Sequence, residues 1–127
     1  WASFMFVTPQ QKIYYSGDSG YGPHFKAIGE QFGAVDLAIM ENGQYDQDWK
    51  YIHMMPDETA QAADDLRTRA VLPGHAGRFV LAKHSWDDPY KRLAAASQQR
   101  PWRLLTPMLG EPVWVADKTQ SFTTWWR

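Results

Sequence analysis

Ile13-Tyr14-Tyr15-Ser16-Gly17-Asp18-Ser19-Gly20-Tyr21-Gly22-Pro23 is the stretch whose reading decides the fold. An apolar, aromatic run delivers one carboxylate into a glycine-rich turn, and a helix is expected directly after it. Tyr14 and Tyr15 suit a strand, whereas Gly17, Gly20 and Gly22 suit the permissive φ angles of a tight exit. Pro23 fits the first helical position, where its missing N–H costs nothing. A carboxylate at the end of a buried strand is costly unless it caps a turn or meets a positive charge. Spacing alone therefore leaves Asp18 two readings, an Asx-type turn residue or a ligand.

Outward from that turn, Ser3 to Val7 reads as a strand, Thr8 to Gln11 as a turn, and Lys12 to Tyr15 as the returning strand of a hairpin. Phe25, Ile28 and Phe32 recur at helical spacing from Pro23 to Phe32, and Gly33 stands where a C-terminal cap belongs. Val35 to Met40 is an apolar run suited to a strand covered on both faces. Glu41 to Met55 is a long aperiodic connection of the kind that carries binding residues. Pro56 opens a second helix with Asp57 and Glu58 in its first turn, ending near Thr68. Ala70-Val71-Leu72 is a short strand running into Pro73-Gly74-His75-Ala76-Gly77. Ser85 and Asp88 have capping-box spacing, followed by the stripe Trp86, Tyr90, Leu93, Ala94 of a third helix. Trp102 to Leu105, Pro112 to Val115 and Ser121 to Trp126 read as strands. Strands alternating with helices argue for an α/β layer with helices on one face of a sheet.

The 127 residues fit a single domain. A formal charge of -1 supplies no basic field for nucleic acid. No cysteine is present, which excludes disulfides and thiolate chemistry. Seven Trp are more than a small domain readily covers and suggest a large buried surface or an interface. No apolar run reaches the roughly eighteen residues a membrane span needs. The expected location is cytoplasmic, and Trp1 in place of an initiating Met reads as the edge of a longer chain.

Four histidines and a set of acids are available for chemistry. His24 lies at a helix start and reads as a surface residue rather than a ligand. His53, in the long connection ahead of a helix, suits either loop packing or a substrate contact. His75 leaves a short strand between Gly74 and Gly77, as Asp18 leaves its own, and ligand sites gather beyond the C-terminal ends of strands. His84 precedes a helix and suits a hydrogen bond to backbone or to a ligand. An Asp and a His from successive strand exits suit Zn, Fe or Mn. Two donors do not complete a zinc site, and H-E-x-x-H, a nucleophile elbow and a Walker lysine are all missing.

Gly17-Asp18-Ser19-Gly20-Tyr21-Gly22-Pro23-His24-Phe25, with Ile28-Gly29 and Phe32-Gly33 behind it, resembles the metallo-β-lactamase superfamily. Within it the chain resembles the branch of N-acyl-phosphatidylethanolamine phospholipase D and the ascorbate-lactonase-like hydrolases. Val35 to Ala38, Lys50 to Glu58, Leu72 to Phe79 and Gly110 to Val113 resemble further family segments in the same order. The resemblance implies the C-terminal half of an αββα sandwich: one mixed sheet with helices on one face, forming a single unit over 1–127 whose N-terminal half is missing. It implies that Asp18 is the carboxylate bridging two zinc ions and His75 the last histidine ligand. His53 would be a substrate-side catalytic histidine, and no further cofactor is implied. The H-x-H-x-D-H motif of the family is not in this chain. Glu41-Asn42-Gly43-Gln44-Tyr45 also departs from the family's Pro-Ile-Gly-type segment, which touches substrate.

The implied activity is zinc-dependent hydrolysis of a phosphodiester or a lactone or ester by a metal-bound hydroxide. The substrate would be small or lipid-like, and this stretch alone is expected to be inactive and to bind zinc weakly. Two other classes remain at this point. One is a non-catalytic packing or interaction domain, a homo-oligomer through its exposed half-sandwich face. The other, an RNA-processing nuclease of the same superfamily, is disfavoured by the lack of a basic patch.

Overall fold

The hairpin is present in the computed structural model, which describes residues 1–127. β1 (Phe4–Val7) pairs antiparallel with β2 (Lys12–Tyr15). The Thr8 side chain closes the turn by accepting the N–H of Gln11 at 2.9 Å. β3 (Leu37–Glu41), β4 (Ala70–Gly74) and the two-residue β5 (Arg103–Leu104) add in parallel, giving a mixed sheet in the order β1-β2-β3-β4-β5. The connections carry α1 (His24–Phe32), α2 (Pro56–Asp65) and α3 (Asp88–Ser97), as parallel strands require a crossover.

All three helices pack on one face. Tyr14, Ala38, Met40 and Val71 point from the strands into a core completed by Phe25, Ala60, Ala63, Leu66, Leu93 and Trp102. Period-two alternation sends their neighbours to the other face. There Leu37, Ala70 and Leu105 form a smaller cluster that Val113, Val115 and Phe122 of the tail cover. The cover stops short of the first hairpin, where Phe4, Phe6 and Tyr15 are half exposed. α1 ends where expected: Gly33, at φ 71°, donates its N–H to the Gly29 carbonyl.

Three expectations need correction. Pro112 to Val115 and Ser121 to Trp126 form no strands; along the first, a side chain takes the place of a neighbouring ladder. Gln120 accepts the Trp114 N–H at 2.8 Å and donates to the Pro112 carbonyl at 2.7 Å. The tail lies on the sheet as a strap. α2 stops at Asp65 rather than near Thr68, because Arg67 turns left-handed at φ 55°. The Ser85–Asp88 capping box does not form; α3 starts at Asp88, and the Asp88 carboxylate accepts the Tyr45 hydroxyl instead. Trp86 therefore lies outside the helix and stacks on Trp125 at 6.4 Å.

Candidate metal centre

Because β2, β3 and β4 run parallel, their C-terminal ends open on one edge of the sheet. Asp18 lies three residues past β2, Glu41 is the last residue of β3, and His75 follows directly on β4. Ladder bonds hold these exits in register: Ser16 N–H donates to the Ile39 carbonyl, and Asn42 N–H to the Gly74 carbonyl, both at 3.0 Å. The turn after β2 uses its glycines in two different ways. Gly17 takes the left-handed φ of 59°, whereas Gly20 does not; a Cβ there would collide with the Lys50–Tyr51 backbone. That close approach brings the connection carrying His53 against the Asp18 turn.

His53 is anchored on both sides. Its N–H donates to the Trp49 carbonyl at 2.9 Å, directly after the 3₁₀ turn Gln47–Trp49, and the next residue, Met54, is fully buried in the core. His75 sits at φ 60°, a left-handed conformation that costs a non-glycine residue about 1–2 kcal/mol. The neighbouring Glu41–Tyr45 segment packs onto it so closely that a Cβ at Gly43 would fall on the His75 carbonyl oxygen. Strain of this kind persists where the surroundings over-determine a position, and it clusters at functional sites.

One donor atom each from Asp18, His53 and His75 lies within 4.8 Å of the others. The His53 and His75 rings stack with centroids 5.0 Å apart. His75 Nδ1 is 3.7 Å from Asp18 Oδ1, too long for a hydrogen bond. The three groups converge without satisfying one another. A carboxylate and two imidazoles are the donor set of a zinc, iron or manganese ion, so these residues fit a transition metal. The other two histidines lie elsewhere. His24 is exposed, its ring against Phe25 at 4.1 Å. His84 accepts the Gln44 N–H at 2.9 Å through Nε2 and stacks on Tyr45, which makes it a support of the loop beside His75.

A fourth group, not picked out from sequence, joins the cluster. Glu41 is only 3 % exposed, and its Oε1 is 2.6 Å from His53 Nδ1. Burial pushes this carboxyl up to about 8, against the opposing pull of backbone N–H donors from Ser19 and Met54. Burial likewise lowers His53, helped by the nearby His75. The available signal was an acid ending an otherwise apolar strand. Beside His75, Gln44, Ala76, Arg78, Phe79 and Leu81 line a cavity of about 320 Å³ that combines one cation with apolar walls.

Residues 1–76 match the model of the family described as "Beta-lactamase superfamily domain". Over 104 residues the chain is 94% identical to the outer membrane protein RomA of Klebsiella pneumoniae, covering 82% of this chain and 72% of that protein. It is 36% identical over 98 residues to the mitochondrial N-acyl-phosphatidylethanolamine-hydrolyzing phospholipase D of Saccharomyces cerevisiae, covering 73% of this chain but only 21% of that one. Among solved structures, Igni18, a metallo hydrolase from Ignicoccus hospitalis, superposes with a TM-score of 0.65 at 19% identity, over 86% of this chain and 43% of its own. The expected α/β architecture and the resemblance both agree with these matches. With this sheet, this strand-exit edge and these relatives, the chain belongs to the beta-lactamase superfamily, and its fold is that of the metallo-beta-lactamase fold protein YhfI from Bacillus subtilis, at a TM-score of 0.62 and 21% identity over 82% of this chain and 40% of that one.

Proposed function

We propose that the whole protein is a zinc-dependent hydrolase acting on a phosphodiester or a lactone or ester, with this chain supplying one side of its site. The observation that carries this reading is the convergence of Asp18, His53 and His75 at one sheet edge. Asp18 and His75 would hold the metal, which when bound activates water near neutral pH and polarises the bond to be cut. His53 would hydrogen-bond the substrate or its leaving group, held in reach by its short bond to Glu41. Arg78, exposed beside Phe79 and Leu81, supports an anionic, partly apolar substrate of small or lipid-like kind. A cation over such walls suits a phosphate or carboxylate carried on a hydrocarbon.

The test uses the full-length protein. Asp18→Asn and His75→Ala are each expected to lower bound zinc, measured by elemental analysis. Hydrolysis of phosphodiester and lactone substrates should fall by more than the roughly 10–100-fold that outer-shell changes cost. Zinc content and turnover both unchanged would sink the proposal. His53→Ala is expected to keep the metal and lose turnover; unchanged turnover would remove His53 from the site.

A second reading is favoured by Phe4, Phe6 and Tyr15, exposed together on the face opposite the helices. On this reading the chain is a packing domain that self-associates through that face. Sedimentation of the 127-residue chain would then give a mass that rises with concentration and falls in Phe4→Ser/Phe6→Ser.

A further inference from the structure

We infer that Arg78 and the C-terminal strap form a chamber that sorts substrates: Arg78 takes an anionic group, and Trp125, Met108 and Leu109 take the hydrocarbon attached to it. This rests on the hydrolase reading of the strand-exit edge and deepens it, by assigning specificity residues outside the donor cluster. Two cavities adjoin beside His75. The one of about 320 Å³ includes His75, Ala76 and Arg78 in its lining, and a larger one of about 660 Å³ shares Ala76 and Arg78 with it. Arg78 therefore stands where the two join, with His75 on one side and the strap on the other.

The walls of the larger cavity are held in place by specific contacts. Tyr90, buried on α3, donates its hydroxyl to the Ala76 carbonyl at 3.4 Å. Gly77, at φ 84°, passes so close that a Cβ there would meet the same hydroxyl. Trp125 packs edge-on against Tyr90 at 4.9 Å and donates its Nε1–H to the Thr106 carbonyl at 3.0 Å. Met108 and Leu109 are exposed on a turn closed by Glu111, whose carboxylate accepts the Met108 N–H at 2.9 Å. A hydrocarbon laid against these groups leaves water, which is worth up to about fourfold in affinity per methylene buried. The Arg78 guanidinium lies 5.3 Å from the Phe79 ring centre, and no carboxylate is within ion-pair reach of it. An arginine so placed offers a planar fork of donors to a carboxylate or a phosphate. With the charge at the junction and the apolar walls beyond it, the occupant that fits is an anion carrying a hydrocarbon tail.

The test is calorimetric binding of butanoate, hexanoate, octanoate and decanoate to the full-length protein, none of which has a bond to hydrolyse. Affinity should rise along the series, and Arg78→Gln should weaken every member by a similar factor, about tenfold. Trp125→Ala should flatten the rise, but it also loosens the strap. Met108→Ser/Leu109→Ser, at exposed positions, should flatten the rise without disturbing the fold. Equal affinity along the series, or a rise left intact by the double variant, overturns the tail chamber. Unchanged affinity in Arg78→Gln overturns the anion assignment. Octyl phosphate beside octanoate identifies the preferred head group, and binding of neither overturns the inference. The rise with length should persist in Asp18→Asn; its loss there would place binding at the metal and overturn the inference as well. Failure of the hydrolase reading would leave the series standing, and a flat series would leave zinc content and hydrolysis as they are.

Discussion

His24 shows how little a residue type settles without its surroundings. It sits five residues from Ser19, with Nε2 3.3 Å from the Ser19 hydroxyl, yet takes no part in the donor cluster. Although the residue is exposed, the Phe25 ring against one side of its imidazole keeps water off that side and lowers its pKa from the ordinary imidazole value. The folded chain therefore binds fewer protons at this position than the unfolded chain as pH falls through about 6.5. The stability it contributes is present above that pH and is lost below it. His24→Gln should flatten the decline in unfolding midpoint between pH 7 and 5; an identical decline in both proteins would count against the burial effect. Arg67 offers a second residue-scale prediction. Its left-handed φ of 55° is paid without any catalytic reason, so Arg67→Gly should raise stability in urea by about 1 kcal/mol. No gain would mean that the turn is relaxed in this chain.

At the scale of elements, periodicity was a reliable guide wherever a face had to be buried. The Phe25–Phe32 stripe, the apolar run before Glu41 and the pair Tyr90–Leu93 each became the core side of an element. The reading failed where polar side chains decide. Gln120 takes up the backbone groups of the strand expected at Pro112 to Val115, and Asp88 exchanges a capping role for the Tyr45 hydroxyl. In the site, Asp18 and His75 were legible because each leaves a strand. Glu41 was not, because its value lies in partners twelve and twenty-two residues away. Leu93 is the fully buried anchor of α3, and Leu93→Ala should cost about 2–5 kcal/mol in chemical denaturation, with a loss under 1 kcal/mol contradicting this packing. Gly43→Ala pushes the Glu41–Tyr45 segment off His75. It should reduce turnover of the whole protein far more than it lowers the melting temperature, and equal losses would point to a purely structural glycine.

For the molecule as a whole, the sheet gathers its titratable cluster at one edge and supplies three donor residues there. Asp18 and His75, the two residues that would hold the metal, support at most one ion, and weakly, since structural zinc takes four ligands. Zinc titration of the 127-residue chain by calorimetry should give a stoichiometry no greater than one, abolished in Asp18→Asn/His75→Ala. Two tight sites would overturn that expectation. The parallel run of β2, β3 and β4 has a consequence of another sort. At the opposite edge, the stretches 33–36 and 67–69 are closed by backbone bonds such as Val35 to Arg67 and Arg69 to Val35. That end is given over to holding the strands in register. Exposed positions of the connections at the other edge, such as Asp48, Tyr51, Phe79 and Ser85, can therefore change without reopening the folding problem, so that rim can vary while its scaffold stays in place.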